Sequence, residues 1–109
     1  MRTVNLQQLQ TGLSNYMDAE IISKAGSWDK LKLGFIKGRL VKQLPNMLND
    51  LKQNFLFKDL FVNDMLDIEE VYSSAKSTIA TTGNFKIGDI IFNETDIDRL
   101  YNYIVNAII

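Results

Sequence analysis

One pattern occurs twice in this chain and does most to restrict its fold. Asp67-Ile68-Glu69-Glu70-Val71-Tyr72 and Asp96-Ile97-Asp98-Arg99-Leu100-Tyr101 share the order Asp, Ile, acid, any residue, aliphatic, Tyr. An aspartate side chain accepts from the unpaired amides of a first helical turn, and further acids there complement the helix dipole. Ile68, Val71 and Tyr72, like Ile97, Leu100 and Tyr101, stand at i, i+3 and i+4, on one helical face. Each copy therefore predicts a helix start. Between them Thr82-Gly83-Asn84 is a turn signal, and the residues from Phe85 to Phe92 predict a short hairpin about Gly88-Asp89. The last helix carries Ile97, Leu100, Tyr101, Ile104 and Ile108 and runs into Ala107-Ile108-Ile109, an apolar stretch that either packs in its own core or docks on a partner.

Upstream, Leu6, Leu9, Leu13, Tyr16, Met17 and Ile21 recur at three- and four-residue steps and predict an amphipathic helix over residues 5–24. Asn5 and Gln8 have the spacing of a capping box. Gly12 weakens the middle of that helix by about 1 kcal/mol relative to alanine, a loss that packing has to recover. Ala25-Gly26-Ser27 reads as a stop followed by a new N-cap. From Trp28 to Leu44 two patterns compete. Leu31, Leu33 and Phe35 alternate with Lys30, Lys32 and Gly34 as in a strand, whereas Leu33, Ile36, Leu40 and Leu44 form a helical stripe, which the length of the segment favours. Gly34 and Gly38 have a spacing that permits close helix packing. Pro45 predicts a break there and the start of another helix carrying Met47, Leu48, Leu51 and Phe55. Phe55-Leu56-Phe57 and Leu60-Phe61-Val62 are dense enough in apolar residues to predict core, and Asn63-Asp64 a turn.

These segments make the expected fold α+β and mainly helical: about four helices in a single domain, residues 1–109, with a small antiparallel β-hairpin before the C-terminal helix. The 109 residues are 46% hydrophobic and 23% charged, which suits one core that needs no staples. The chain has neither cysteine nor histidine. Thiolate chemistry, disulfides and the commonest general base and metal ligand are thereby excluded. With no apolar leader in MRTVNLQQLQ and no run of about 20 apolar residues, the expected location is cytoplasmic, in a bacterial host cell, or within a virion.

Three stretches resemble small uncharacterised proteins of phages and prophages from low-GC bacteria. They are Gly12-Leu13-Ser14-Asn15-Tyr16-Met17-Asp18-Ala19-Glu20-Ile21, Leu66-Asp67-Ile68-Glu69-Glu70-Val71-Tyr72, and the residues from Ile87 to Tyr101. The resemblance implies phage origin; it supplies no mechanism and no site residues. Members of that family carry a longer turn before the first of the two repeated helix starts, where this chain has only Phe61-Val62-Asn63-Asp64-Met65-Leu66.

Catalytic and metal-binding patterns are few and each has a plainer explanation. Ser27-Trp28-Asp29-Lys30 and Ser73-Ser74-Ala75-Lys76 match S-x-x-K, in which a lysine one turn away deprotonates a serine, but the companion motifs are missing. Asp89, Glu94, Asp96 and Asp98 offer oxygen ligands for magnesium or calcium without the spacing of an EF-hand, and helix capping accounts for Asp96 and Asp98. No metal, cofactor or small-molecule substrate is expected, and no enzymatic activity.

Charge is the remaining signal. Residues 1–49 carry seven basic and three acidic side chains, residues 50–109 five basic and ten acidic. Lys24, Lys30, Lys32, Lys37, Arg39 and Lys42 surround Trp28 and Phe35, with Asp29 the one acid between Lys24 and Lys42. Together with Trp28 these basic residues are the candidate binding set. The expected function is a non-enzymatic, phage-derived interaction protein that binds a protein partner or itself: a virion or assembly component, or an inhibitor or adaptor of a host protein. The alternative is a nucleic-acid-binding accessory protein, since basic charge interleaved with aromatic rings suits single strands. Assigning Trp28 and Phe35 to the core weighs against it.

Overall fold

Asn5 opens the first helix in the way its spacing to Gln8 predicts. Its side-chain oxygen accepts from the Gln8 amide at 2.8 Å, and the Gln8 side chain accepts from the Asn5 amide at 2.9 Å. The computed structural model describes residues 2–87 and 90–108, apart from the side chains of Leu56, Ile87 and Ile108. Helix α1 (Leu6–Tyr16) widens into one π-helical turn, Met17–Ile21, and tightens into a 3₁₀ turn, Ile22–Lys24.

Helix α2 follows as a single element of 27 residues, Ser27–Gln53, with Gly26 rather than Ser27 at its N-cap. The strand alternative for residues 28–44 is thus excluded, and the expected break at Pro45 does not occur. Pro45 lies inside the helix. A 3₁₀ segment, Phe55–Leu60, leads to strands β2 (Phe61–Val62) and β3 (Met65–Asp67). Asn63 and Asp64 both have positive φ, 51° and 67°, the geometry of a tight two-residue hairpin turn, so the short connection suffices. Strand β1 (Thr3–Val4) pairs antiparallel on the other side of β3, Thr3 opposite Asp67 and Val4 opposite Leu66. This three-stranded sheet, ordered β1-β3-β2, is absent from the sequence-based expectation. Its strands are too short to show a period, and β1 finds its partner more than sixty residues away.

Helix α3 (Ile68–Thr82) ends at Gly83, whose left-handed φ of 90° lets its amide close on the Ile79 carbonyl. Strands β4 (Phe85–Ile87) and β5 (Ile90–Phe92) form the expected hairpin, Phe85 opposite Phe92 and Ile87 opposite Ile90. The Gly88-Asp89 turn itself lies outside the described residues. Helix α4 (Glu94–Ile108) completes the chain as described; Ile109 and the Ile108 side chain, and with them the expected apolar end, lie outside it.

The two repeated motifs both begin helices, but in different phases. Asp67 is the N-cap of α3 and accepts from the Glu69 amide at 3.2 Å. Asp96 stands three residues into its motif's helix: Asn93 accepts from the Asp96 amide at 2.9 Å while Asp96 accepts from the Asn93 amide at 3.0 Å. Asn93 therefore opens α4, and Asp96 completes a capping box. The motif tyrosines meet across the α3–α4 contact, with the Tyr72 and Tyr101 rings 4.6 Å apart.

Buried side chains form one cluster, from Val4 and Leu13 through Met17, Leu40 and Leu44 to Phe92, Ile97, Leu100 and Ile104. The most extensive helix contact is α1 on α4. Gly12 makes it possible: a Cβ there would stand 2.8 Å from Ile104 Cα, so the helix weakness is recovered by a close backbone approach. Two other expectations about the core fail. Phe55 is 75% exposed and Phe57 is also exposed, because their turn runs over the surface. Trp28 and Phe35 are exposed too, because α2 lies at the edge of the helical layer and buries only one face.

Candidate functional site

Helix α2 is apolar on two faces. Ile36, Leu40, Leu44 and Met47 turn toward the core, with Leu33 half-buried beside them. Trp28, Leu31, Phe35, Gly38 and Lys42 follow the same three- and four-residue rhythm on the opposite side. There Trp28 is 84% exposed, Phe35 75% and Leu31 59%. A helix at the edge of a layer has one neighbour-facing stripe, so among the described residues nothing covers a second apolar stripe. The signal was present in the sequence as two interleaved patterns, and only the packing shows which face is buried.

The two glycines of this helix face open space: a Cβ at Gly34 or Gly38 would meet nothing within 4 Å. Their spacing therefore serves no close packing among the described residues. Each weakens α2 by roughly 0.5–1 kcal/mol relative to alanine, with no contact inside the fold in return.

The candidate basic residues divide into two groups. Lys24 pairs with Glu20 at 3.1 Å and Lys37 with Asp18 at 2.7 Å, so these two are engaged in ion pairs within the chain. Lys30, Lys32, Arg39 and Lys42 are exposed along α2. Lys32 and Arg39 edge the Trp28–Phe35 stripe one turn beyond each aromatic, and Lys42 continues it. Among the described residues, no carboxylate lies within 4.0 Å of Lys30, Lys32 or Lys42. The face is thus apolar along its centre and positively charged around it.

Several other titratable side chains are occupied in the fold. The π-helical turn supplies Asp18 to α2 and Glu20 to α4, where Glu20 accepts from Arg99 at 3.3 Å and Tyr103 at 3.2 Å as well as from Lys24. The hydrogen bond from Lys24 holds the Glu20 carboxyl below its ordinary range. Burial pushes the Tyr16 phenol up to about 12, with the charges of Asp96 and Glu20 adding to it. Lys76 bridges Glu94 at 2.8 Å and Asp98 at 3.0 Å, and the hydrogen bond to Glu94, followed by that to Asp98, raises its pKa. A lysine so held is a poor base, which removes the Ser73–Lys76 pattern from consideration. Asp98, Glu94 and Asp96 are likewise taken up by Lys76 and by the α4 capping box. Asp89 lies outside the described residues, and among those described no three acidic side chains come together to hold a metal. Nor is any described helix long and apolar enough to cross a membrane.

A second feature lies between two helices. Helices α2 and α3 meet chiefly through the Phe55–Leu60 turn, which touches both. Between them, flanked by α1 and α4, is a half-open apolar groove of about 500 Å³. Comparison of the chain with protein-family models, curated proteins and solved structures gave no match.

Proposed function

We propose that this chain is a non-enzymatic interaction protein that docks an acidic, partly apolar segment of a partner protein on the outward face of α2. The observation that carries this reading is the row Trp28, Leu31 and Phe35, exposed in line on one helix face and edged by Lys32 and Lys42. Clustered exposed aromatics mark interaction surfaces, and unpaired cations beside them select an acidic partner. Gly34 and Gly38 let such a partner's backbone come close. Phage origin rests on the resemblance of the three stretches described above, and either a particle component or an inhibitor or adaptor of a host protein is compatible with this surface.

One observation favours a second reading. The exposure of Trp28 and Phe35 removes the ground on which they were set aside as core, and rings beside lysines suit single-stranded nucleic acid. Leu31 at the centre of the row and the overall charge of −1 favour protein instead.

Trp28 is the only tryptophan, so its fluorescence reports on this face directly. A helical peptide with a leucine strip edged by glutamates should shift Trp28 emission to the blue. Trp28 must stay for that readout, so Phe35→Ser combined with Leu31→Ser should weaken the binding roughly tenfold or more. The same strip edged by lysines should not bind. Tight binding of a single-stranded oligonucleotide, lost when Lys30, Lys32, Arg39 and Lys42 become glutamine, would install the second reading. Sedimentation at low salt tells a foreign partner from a second copy, whose residues 50–109 carry the excess of acids.

A further inference from the structure

Pro45 divides α2 into an anchored part and a loosely held one. The buried residues of this helix, Leu40 and Leu44, both precede it, and so does Lys37, which is paired with Asp18 of the π-helical turn. From Pro45 to Gln53 no residue is buried. At Pro45 the backbone hydrogen bond to the Val41 carbonyl is missing, and the Gln10 side chain, which belongs to another helix, takes its place. Helices bend where their hydrogen-bond ladder is interrupted in this way.

The loosely held part has room on both sides. On one side is the half-open apolar groove of about 500 Å³, with Met47, Leu48 and Leu51 in one wall and Val71 and Ala75 of α3 in the other. On the other side is a hollow of about 240 Å³ against the three-stranded sheet, and Leu48 lines both spaces. Across that hollow Lys52 pairs with Asp64 at 3.1 Å, but Asp64 is 88% exposed, and surface pairs of this kind give way easily. Closely packed helices stand about 8–10 Å apart with their side chains interdigitated, whereas α2 and α3 meet chiefly through the Phe55–Leu60 turn. Met47, Leu48, Leu51 and Val71 are only half-buried, so bringing the two walls together removes apolar surface from water. From the interrupted ladder, the space on either side and the apolar walls, we infer that residues 46–53 form a jaw hinged at Pro45, which swings away from the sheet and closes the groove on α3. The far end of the jaw runs into the Phe55–Leu60 turn, which already touches α3, so the motion is a bend toward an existing contact. The Gln10–Val41 bond restores one rung at the hinge and resists the swing. Trp28, Leu31, Phe35 and Lys42 lie before Pro45, so the jaw moves independently of the docking face.

The chain has no cysteine, so a pair can be introduced for spin labels without background. Asp50 of α2 and Lys86 of β4 both line the groove and are exposed. With labels at Asp50→Cys and Lys86→Cys, pulsed dipolar electron spin resonance should find two distances, the shorter one from the closed jaw. Pro45→Ala restores the backbone rung and should leave only the longer distance, while far-UV circular dichroism stays native. Gln10→Ala should raise the closed fraction severalfold. Labels at Lys42→Cys, before the hinge, and Lys86→Cys should give one distance in every variant. A single distance between positions 50 and 86 in the native protein would overturn the inference. So would two distances that persist unchanged in Pro45→Ala, or a 42–86 distance that splits along with the 50–86 distance.

Discussion

Gln10 of α1 donates its side-chain amide to the main-chain carbonyl of Val41 in α2, at 3.1 Å. In an uninterrupted helix that carbonyl accepts from the amide of residue 45, but residue 45 is proline and has no N–H. A side chain from a neighbouring helix thus replaces the missing donor. The contact helps explain how a 27-residue helix runs through a proline that would otherwise cost it about 3 kcal/mol.

The two positions should be coupled. Gln10→Ala is expected to destabilise the protein by about 1–2 kcal/mol, because a partly buried carbonyl loses its donor. In a Pro45→Ala background the backbone amide returns and the same change should cost little. A double-mutant cycle in urea measures this, and strictly additive costs would show that Gln10 acts elsewhere.

Alanine should act in opposite directions at two kinds of glycine. Gly12→Ala forces α1 off the Ile104 backbone and should cost about 1–3 kcal/mol, more than the helix propensity it gains. Gly34→Ala and Gly38→Ala meet open space and should each raise stability by about 0.5–1 kcal/mol. If α2 docks a partner there, the two stabilised variants should also bind the glutamate-edged peptide less well. Thermal melts and the Trp28 fluorescence titration read both effects.

Helix capping should separate Asp67 and Asn93 from Asp96. Asp67→Ala and Asn93→Ala each remove an N-cap and should cost about 0.5–2 kcal/mol. Asp96→Ala leaves the Asn93 cap oxygen in place but removes the carboxylate beside the buried Tyr16 hydroxyl, so its mark should be a Tyr16 pKa lowered toward the ordinary value. Magnesium or calcium should leave the melting temperature flat, and a clear rise lost on Asp96→Ala would assign the cluster to a metal.

Stability should fall at both ends of the pH scale for identifiable reasons. The hydrogen bond from Tyr72, followed by that from Lys76, lowers the Asp98 pKa. Its contribution is therefore present above the unfolded value, about 4, and lost as pH falls through the lower folded value. Asp98→Asn should flatten this acid limb. Tyr16 is raised to about 12, so its contribution is present below the unfolded value, about 10, and lost between there and the folded value. Tyr16→Phe should flatten the alkaline limb in melts followed from pH 9 upward.

Local signals in the sequence determined the helix starts at Asn5 and Asp67, the turns at Asn63-Asp64 and Gly83, the hairpin before the last helix, and hence the mainly helical α+β class. Caps, turn residues and apolar periods act over three or four residues, and nothing distant overrode them there. Contacts between segments far apart in the chain decided the rest. Gln10 supplies the donor that Pro45 withholds from the Val41 carbonyl, the β1–β3 pairing joins residues 3 and 67, and Ile104 explains Gly12. The candidate site shows the division most clearly. One helical stripe and a strand-like alternation are legible in the sequence of this segment, but a period says only that residues share a face. Which face is buried depends on where the helix lies in the layer, and its place at the edge leaves Trp28, Leu31 and Phe35 to solvent.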